Sequence, residues 1–92
     1  MTRRPDLPRR LEIQREALDD LRYWVAADRK VALKILKLIE AARRDPYGGD
    51  GKPEPLRHLG PDVWSRRITR EDRLVYRVLA DGIDILQARY HY

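Results

Sequence analysis

Ninety-two residues, 42% hydrophobic and 38% charged, with a net charge of +5, suffice for one domain with a modest core under a heavily charged surface. The chain has no cysteine, which excludes disulfides, thiolate metal sites and cysteine nucleophiles. No apolar run nears the roughly 18 residues of a membrane span and no signal-peptide pattern opens the chain, so a cytoplasmic protein with no membrane partner is expected.

Residues 1–10 hold four arginines and one aspartate, alongside Pro5 and Pro8. They read as a flexible basic arm, ahead of a single domain over residues 11–92. Leu11–Gln14 alternates apolar and polar residues, which fits a short strand. Over Glu16–Ala27, the residues Ala17, Leu18, Leu21, Trp24 and Val25 recur on one helical face. Asp28 can cap a second helix, which runs to about Arg44 and ends before Pro46. That helix carries Val31, Ala32, Ile35, Leu38, Ile39 and Ala42 on one stripe, and Lys30, Lys34 and Lys37 on the other side.

Residues 46–55, PYGGDGKPEP, form a loop with three glycines and three prolines. The prolines on either side of Glu54 restrict its backbone, so its carboxylate stands on a stiff stem. The glycine spacing does not fit a Walker loop, which rules out nucleotide binding by that route. Leu56–Leu59 reads as a further short strand. Val63–Thr69 and Arg73–Leu79 are rich in β-branched and aromatic residues and read as strands. Asp81-Gly82 predicts a type I′ hairpin, and Ile83–Tyr92 completes the sheet. Two helices followed by a run of strands indicate an α+β fold with an antiparallel sheet.

The chemistry gathers in the last third and just before it, at Glu54, Arg57, His58, Arg66, Arg67, Arg73, Arg89, His91 and Tyr92. RNA can be cut without metal when its own 2′-OH attacks the adjacent phosphate. That route needs a base, an acid for the leaving 5′-oxygen, and cations for the phosphorane charge. Glu54, His91 and an arginine could supply these parts. Along a strand, Arg66 and Arg67 must face opposite sides of the sheet. Two histidines among scattered carboxylates, with no HxH or HExxH spacing, make a poor metal site; no metal and no cofactor is expected. A strict two-residue hairpin at Asp81-Gly82 pairs Arg73 with Tyr90. His91 then faces away from Arg73 unless a bulge, a strand end or another loop intervenes.

The segments GKPEPLRH, WSRRIT, RLVYRV and ARYHY, with DDLRYW and the RRDP end of the second helix, resemble the YoeB toxin family of the RelE superfamily. The resemblance covers nearly all of residues 16–92. It implies a twisted antiparallel sheet with two helices packed on one face, often dimeric. The implied activity is a ribosome-dependent endonuclease that cleaves mRNA in the ribosomal A site, in contact with ribosomal RNA. The implied partner is an acidic Phd/YefM-type antitoxin, with DNA reached only through the antitoxin complex. By position, Glu54 matches the family's general base, His91 its general acid, and Arg73 the cation at the scissile phosphate. Arg67 matches a further phosphate contact, and Tyr92 the terminal tyrosine that shapes the site. Lys52 and Arg57 match basic positions that hold RNA backbone; His58 and Arg66 are assigned to RNA binding with them. Asp72 departs from the family pattern, standing where histidine is common. The competing readings are a non-catalytic RNA- or DNA-binding module and a protein-binding subunit, each using the arginine-rich sheet. The first keeps Arg67 and Arg73 but has no need of Glu54 or His91; the second predicts no toxicity and no RNA products.

Overall fold

The computed structural model describes residues 9–90. Five strands form one sheet in the order β1-β5-β4-β3-β2. They are β1 (Arg10–Ile13), β2 (Glu54–Pro55), β3 (Val63–Arg67), β4 (Arg73–Val78) and β5 (Gly82–Gln87). Helices α1 (Arg15–Ala27) and α2 (Arg29–Arg44) lie between β1 and β2 in the chain. The sheet is antiparallel from β2 to β5, and β1 joins its edge parallel to β5. The antiparallel sheet expected from the sequence is therefore a mixed one, with its helices on one face as predicted. The parallel pair arises because both helices intervene before the chain returns to β1's neighbour, which a hairpin cannot do.

Both helices form where the apolar period says. Asp28 caps α2, its side chain accepting from the N–H groups of Lys30 and Val31. Ala17, Ile35, Leu38, Ile39 and Ala42 meet Ile68, Leu74, Tyr76, Ile83, Ile85 and Ala88 in the main core. Trp24 packs against this cluster and donates its indole N–H to the Ala88 carbonyl at 2.9 Å. Leu18 and Val25, expected on the same buried face, are 40% and 61% exposed. Leu18 and Val25, seven residues apart, share one flank of α1, beside the Ala17–Leu21–Trp24 line that packs on the core.

Three local expectations are corrected. Leu56–Leu59 is not a strand: Arg57–Leu59 makes a 3₁₀ turn, and only Glu54–Pro55 pairs with β3. The Arg57 and Leu56 carbonyls are taken by the N–H groups of Gly60 and Leu59 inside the turn, which removes them from any ladder. The β4–β5 reversal is not a type I′ turn at Asp81-Gly82. Leu79 N–H donates to the Gly82 carbonyl at 2.8 Å, Val78 pairs with Ile83, and no residue of 79–82 has positive φ. Gly82 is there for a different reason. A Cβ on it would lie 2.5 Å from the carbonyl oxygen of Arg10, so glycine lets β1 close onto β5. Finally, β3 ends at Arg67 and β5 at Gln87, short of the expected Thr69 and Tyr92. Most of the expected arm, and residues 91–92, lie outside the described residues; Arg10 already belongs to β1.

Candidate active site

The face of the sheet away from the helices carries a small apolar patch of Leu56, Val63 and Val75, with Leu86 against it. Beside it stand the polar groups of interest. Alternation along β4 sends Leu74 and Tyr76 into the helix-side core, so Arg73 takes the open face. Glu54 is opposite Ser65 in β3, and Arg67 is opposite Arg73 in β4. The register therefore gathers Glu54, Ser65, Arg67 and Arg73 on one surface. The Arg73 guanidinium meets Glu54 Oε1 at 2.9 Å and donates to Ser65 Oγ at 3.3 Å. Arg73 is largely enclosed, at 17% side-chain exposure, while the Glu54 carboxylate is half exposed at 50%. A fixed cation and an accessible carboxylate thus touch on an open sheet face.

Arg66 is placed otherwise, and its expected role in RNA binding is corrected. Its side chain is completely buried on the helix side. The guanidinium donates to the backbone carbonyls of Asp45, Asp50 and Gly48 at 2.6, 2.7 and 2.8 Å, and to the Tyr76 hydroxyl at 3.1 Å. Tyr76 in turn donates to the Pro46 carbonyl at 2.6 Å. Arg66 therefore closes the glycine-rich loop that leads to Glu54, and none of it is presented to a ligand. Arg67, one residue on, is exposed, as strand alternation requires. Lys52, Arg57 and His58 are all at the surface near β2. Lys52 holds φ at +51°, an unusual conformation for a side-chain-bearing residue.

His91 and Tyr92, expected as acid and terminal aromatic, lie outside the described residues. The chain leading to them is fixed at several points that the sequence did not signal. Asp20 accepts the Ala88 N–H at 2.9 Å. The Arg89 guanidinium lies over the Tyr23 ring at 3.3 Å and near the Tyr90 ring at 4.4 Å. Asp72 accepts the Tyr90 N–H at 2.7 Å, and the Arg73 N–H donates to the Tyr90 carbonyl at 3.2 Å. The same Asp72 side chain accepts from the Thr69 hydroxyl at 2.8 Å, which shapes the β3–β4 turn. Tyr90 has φ of +66°. Asp72, the residue before Arg73, thus ties Tyr90, the residue before His91, to the β3–β4 turn. Register also departs from the strict hairpin. Tyr76 pairs with Ile85 but Val75 with Gln87, a bulge that leaves Leu86 unmatched. The bulge and the early strand end remove the fixed alternation that set Arg73 and His91 on opposite faces.

Two helices against one face of this sheet, with the carboxylate and cations on the other, define a small basic α+β protein of RelE-like fold. Residues 13–92 match the family of YoeB-like toxins of bacterial type II toxin–antitoxin systems, and the chain belongs to that family. The toxin YoeB of Mycobacterium bovis is 52% identical over 77 residues, 84% of this chain and 91% of that protein. The solved YoeB dimer of Staphylococcus aureus superposes with a TM-score of 0.84 at 34% identity, over 94% of this chain and all of that one. The heterotetrameric YoeB–YefM toxin–antitoxin complex of the same organism gives a TM-score of 0.80 at 35% identity, with the same coverage. This chain is a toxin of that type, and among the described residues no helix is long and apolar enough to cross a membrane.

Proposed function

We propose that this toxin is an endoribonuclease that cleaves mRNA in the ribosomal A site, without metal, by attack of the RNA's own 2′-OH. The observation that carries the reading is the Glu54–Arg73 pair at 2.9 Å on the open sheet face. In the free protein the two charges satisfy each other. A scissile phosphate set beside them takes over Arg73 and leaves the carboxylate facing the ribose. Glu54 then removes the 2′-OH proton, and the 2′-oxygen forms a bond to phosphorus. The charge of the phosphorane falls on Arg73, with Arg67 beside it. The P–O5′ bond breaks, and His91 gives its proton to the leaving oxygen. The products are a 2′,3′-cyclic phosphate and a 5′-OH. Tyr92 shapes the site at the chain end, and Arg57, His58 and Lys52 hold flanking backbone. A YefM-type acidic antitoxin is the neutralising partner, and a homodimer is the form of the free toxin. Support for the partner comes from the S. aureus YoeB–YefM complex, and for the dimer from the S. aureus YoeB dimer.

The test is single-turnover cleavage on ribosomes by Arg73→Ala and His91→Gln. Arg73→Ala should slow the step by about 10²–10³-fold, the effect of losing one oxyanion stabiliser. His91→Gln should slow it by about 10²–10⁴-fold. A 5′-thio leaving group needs no protonation and should restore the rate of His91→Gln alone. Equal loss on the oxygen and sulfur substrates, with folding intact, would remove His91 from the acid role.

A further inference from the structure

A second basic feature lies outside the pair just described. The chain has four lysines, and three of them, Lys34, Lys37 and Lys52, line one cleft of about 320 Å³. The cleft runs between α2 and the loop before β2, and Leu38, Asp50, Gly51 and Arg67 complete its wall. Lys34 and Lys37 are one turn apart on α2, so they present a single edge. Lys52 comes from the opposite wall, on a backbone held at φ +51° where most side-chain-bearing residues are disfavoured. The buried Arg66 guanidinium fixes that wall through the Asp50 carbonyl, and Gly51 accepts from the Arg67 N–H at 2.7 Å. Among the described residues, none of these three lysines nor Arg67 takes part in an ion pair; the pairs formed all use other arginines. Three lysines and Arg67 outnumber Asp50, the one acidic residue of the lining, and form no ion pair with it, so the cleft is net positive and suits an external polyanion. Arg67, whose backbone meets Gly51 at this wall, lies at the end of β3 in register with Arg73 of the candidate site.

From this we infer that the cleft binds the RNA sugar–phosphate backbone a few nucleotides from the scissile phosphate. This rests on the ribonuclease reading and extends it. Lysine suits the role, because a flexible point charge follows a backbone without fixing its register.

Binding is read instead of cleavage, so the two readings can fail separately. The probe is a fluorescent single-stranded oligoribonucleotide with 2′-O-methyl groups throughout, which cannot be cut. Lys34→Gln/Lys37→Gln should bind it about tenfold more weakly near 0.1 M salt, and the gap should close toward 1 M salt. The slope of log affinity against log salt should fall by about 1.4, at roughly 0.7 for each single-strand phosphate that the variant no longer neutralises. The charge-matched control Arg22→Gln/Arg29→Gln, at two exposed arginines outside the cleft lining, should stay within about twofold of the parent. Equal weakening by the control would make the effect one of net charge and overturn the inference. So would an unchanged slope in the cleft variant. A third overturning result is loss of binding to an acidic peptide of equal charge with RNA binding intact, which would assign the cleft to a protein partner. If the parent binds the probe as expected but never cleaves RNA on ribosomes, the ribonuclease reading falls while the cleft stands as an RNA-backbone site.

Discussion

Arg66 and Arg67 are neighbours with opposite fates, and the sheet alone decides between them. Strand alternation says that the two must part, but not which one turns inward. That depends on the loop carbonyls of residues 45–50, which become acceptors only once the chain has folded around them. Arg66→Met should therefore cost about 3 kcal/mol or more of folding free energy, since it orphans several buried carbonyls and the Tyr76 hydroxyl. Denaturant melts that leave stability within about 1 kcal/mol of the parent would contradict the staple. Tyr76 makes a related prediction. Burial pushes its phenol up, against the lowering effect of Arg66. The folded state thus holds this proton more tightly than the unfolded chain, whose value is about 10. That contribution to stability is intact below about pH 10 and is lost as pH rises through the folded value. Tyr76→Phe should be less stable at pH 8, because the Pro46 carbonyl loses its donor, yet show a flatter decline between pH 9 and 11. An alkaline decline as steep as the parent's would count against it.

Among the elements, helices were the most legible. Their apolar period and the Asp28 cap set both to within a residue at each end. Strands were legible by composition but not by pairing. The parallel β1–β5 contact, the bulge at Leu86 and the displaced hairpin all depend on partners far away in sequence. Asp81-Gly82 misled because glycine there answers to the close approach of Arg10, not to a left-handed turn. Gly82→Ala should accordingly push β1 off β5, with an overpacking cost of about 1–3 kcal/mol. Hydrogen exchange would show it as faster exchange at Arg10 and Gln14, whose N–H groups donate to Asp81 and Ile85, with β3 and β4 unchanged. Uniform loss of protection across the sheet would refute that assignment. The candidate site was legible in its parts, as Glu54, Arg67 and Arg73. That they share a face came only from the register, and the anchoring of Tyr90 by Asp72 came from no sequence signal at all.

At the scale of the whole molecule, the helices cover one face of the sheet and leave the other open. The helices cover the side that holds Arg66 and Tyr76; the Glu54–Arg73 pair stands on the side without them. The chain's ligating groups are poor for metal, so cleavage should persist in EDTA on ribosomes whose own Mg²⁺ is maintained. Loss of cleavage on ribosomes shown to be intact would bring a metal into the mechanism. The central claim is that the RNA supplies its own nucleophile and Glu54 activates it. Its most direct test is single-turnover cleavage of an A-site mRNA carrying one 2′-deoxynucleotide immediately 5′ to the scissile phosphate. The account predicts no cleavage at that phosphate, with ribosome binding unchanged and the all-ribose mRNA cut to a 2′,3′-cyclic phosphate. Cleavage of the deoxy mRNA at the same position would show that another nucleophile attacks and would contradict the mechanism.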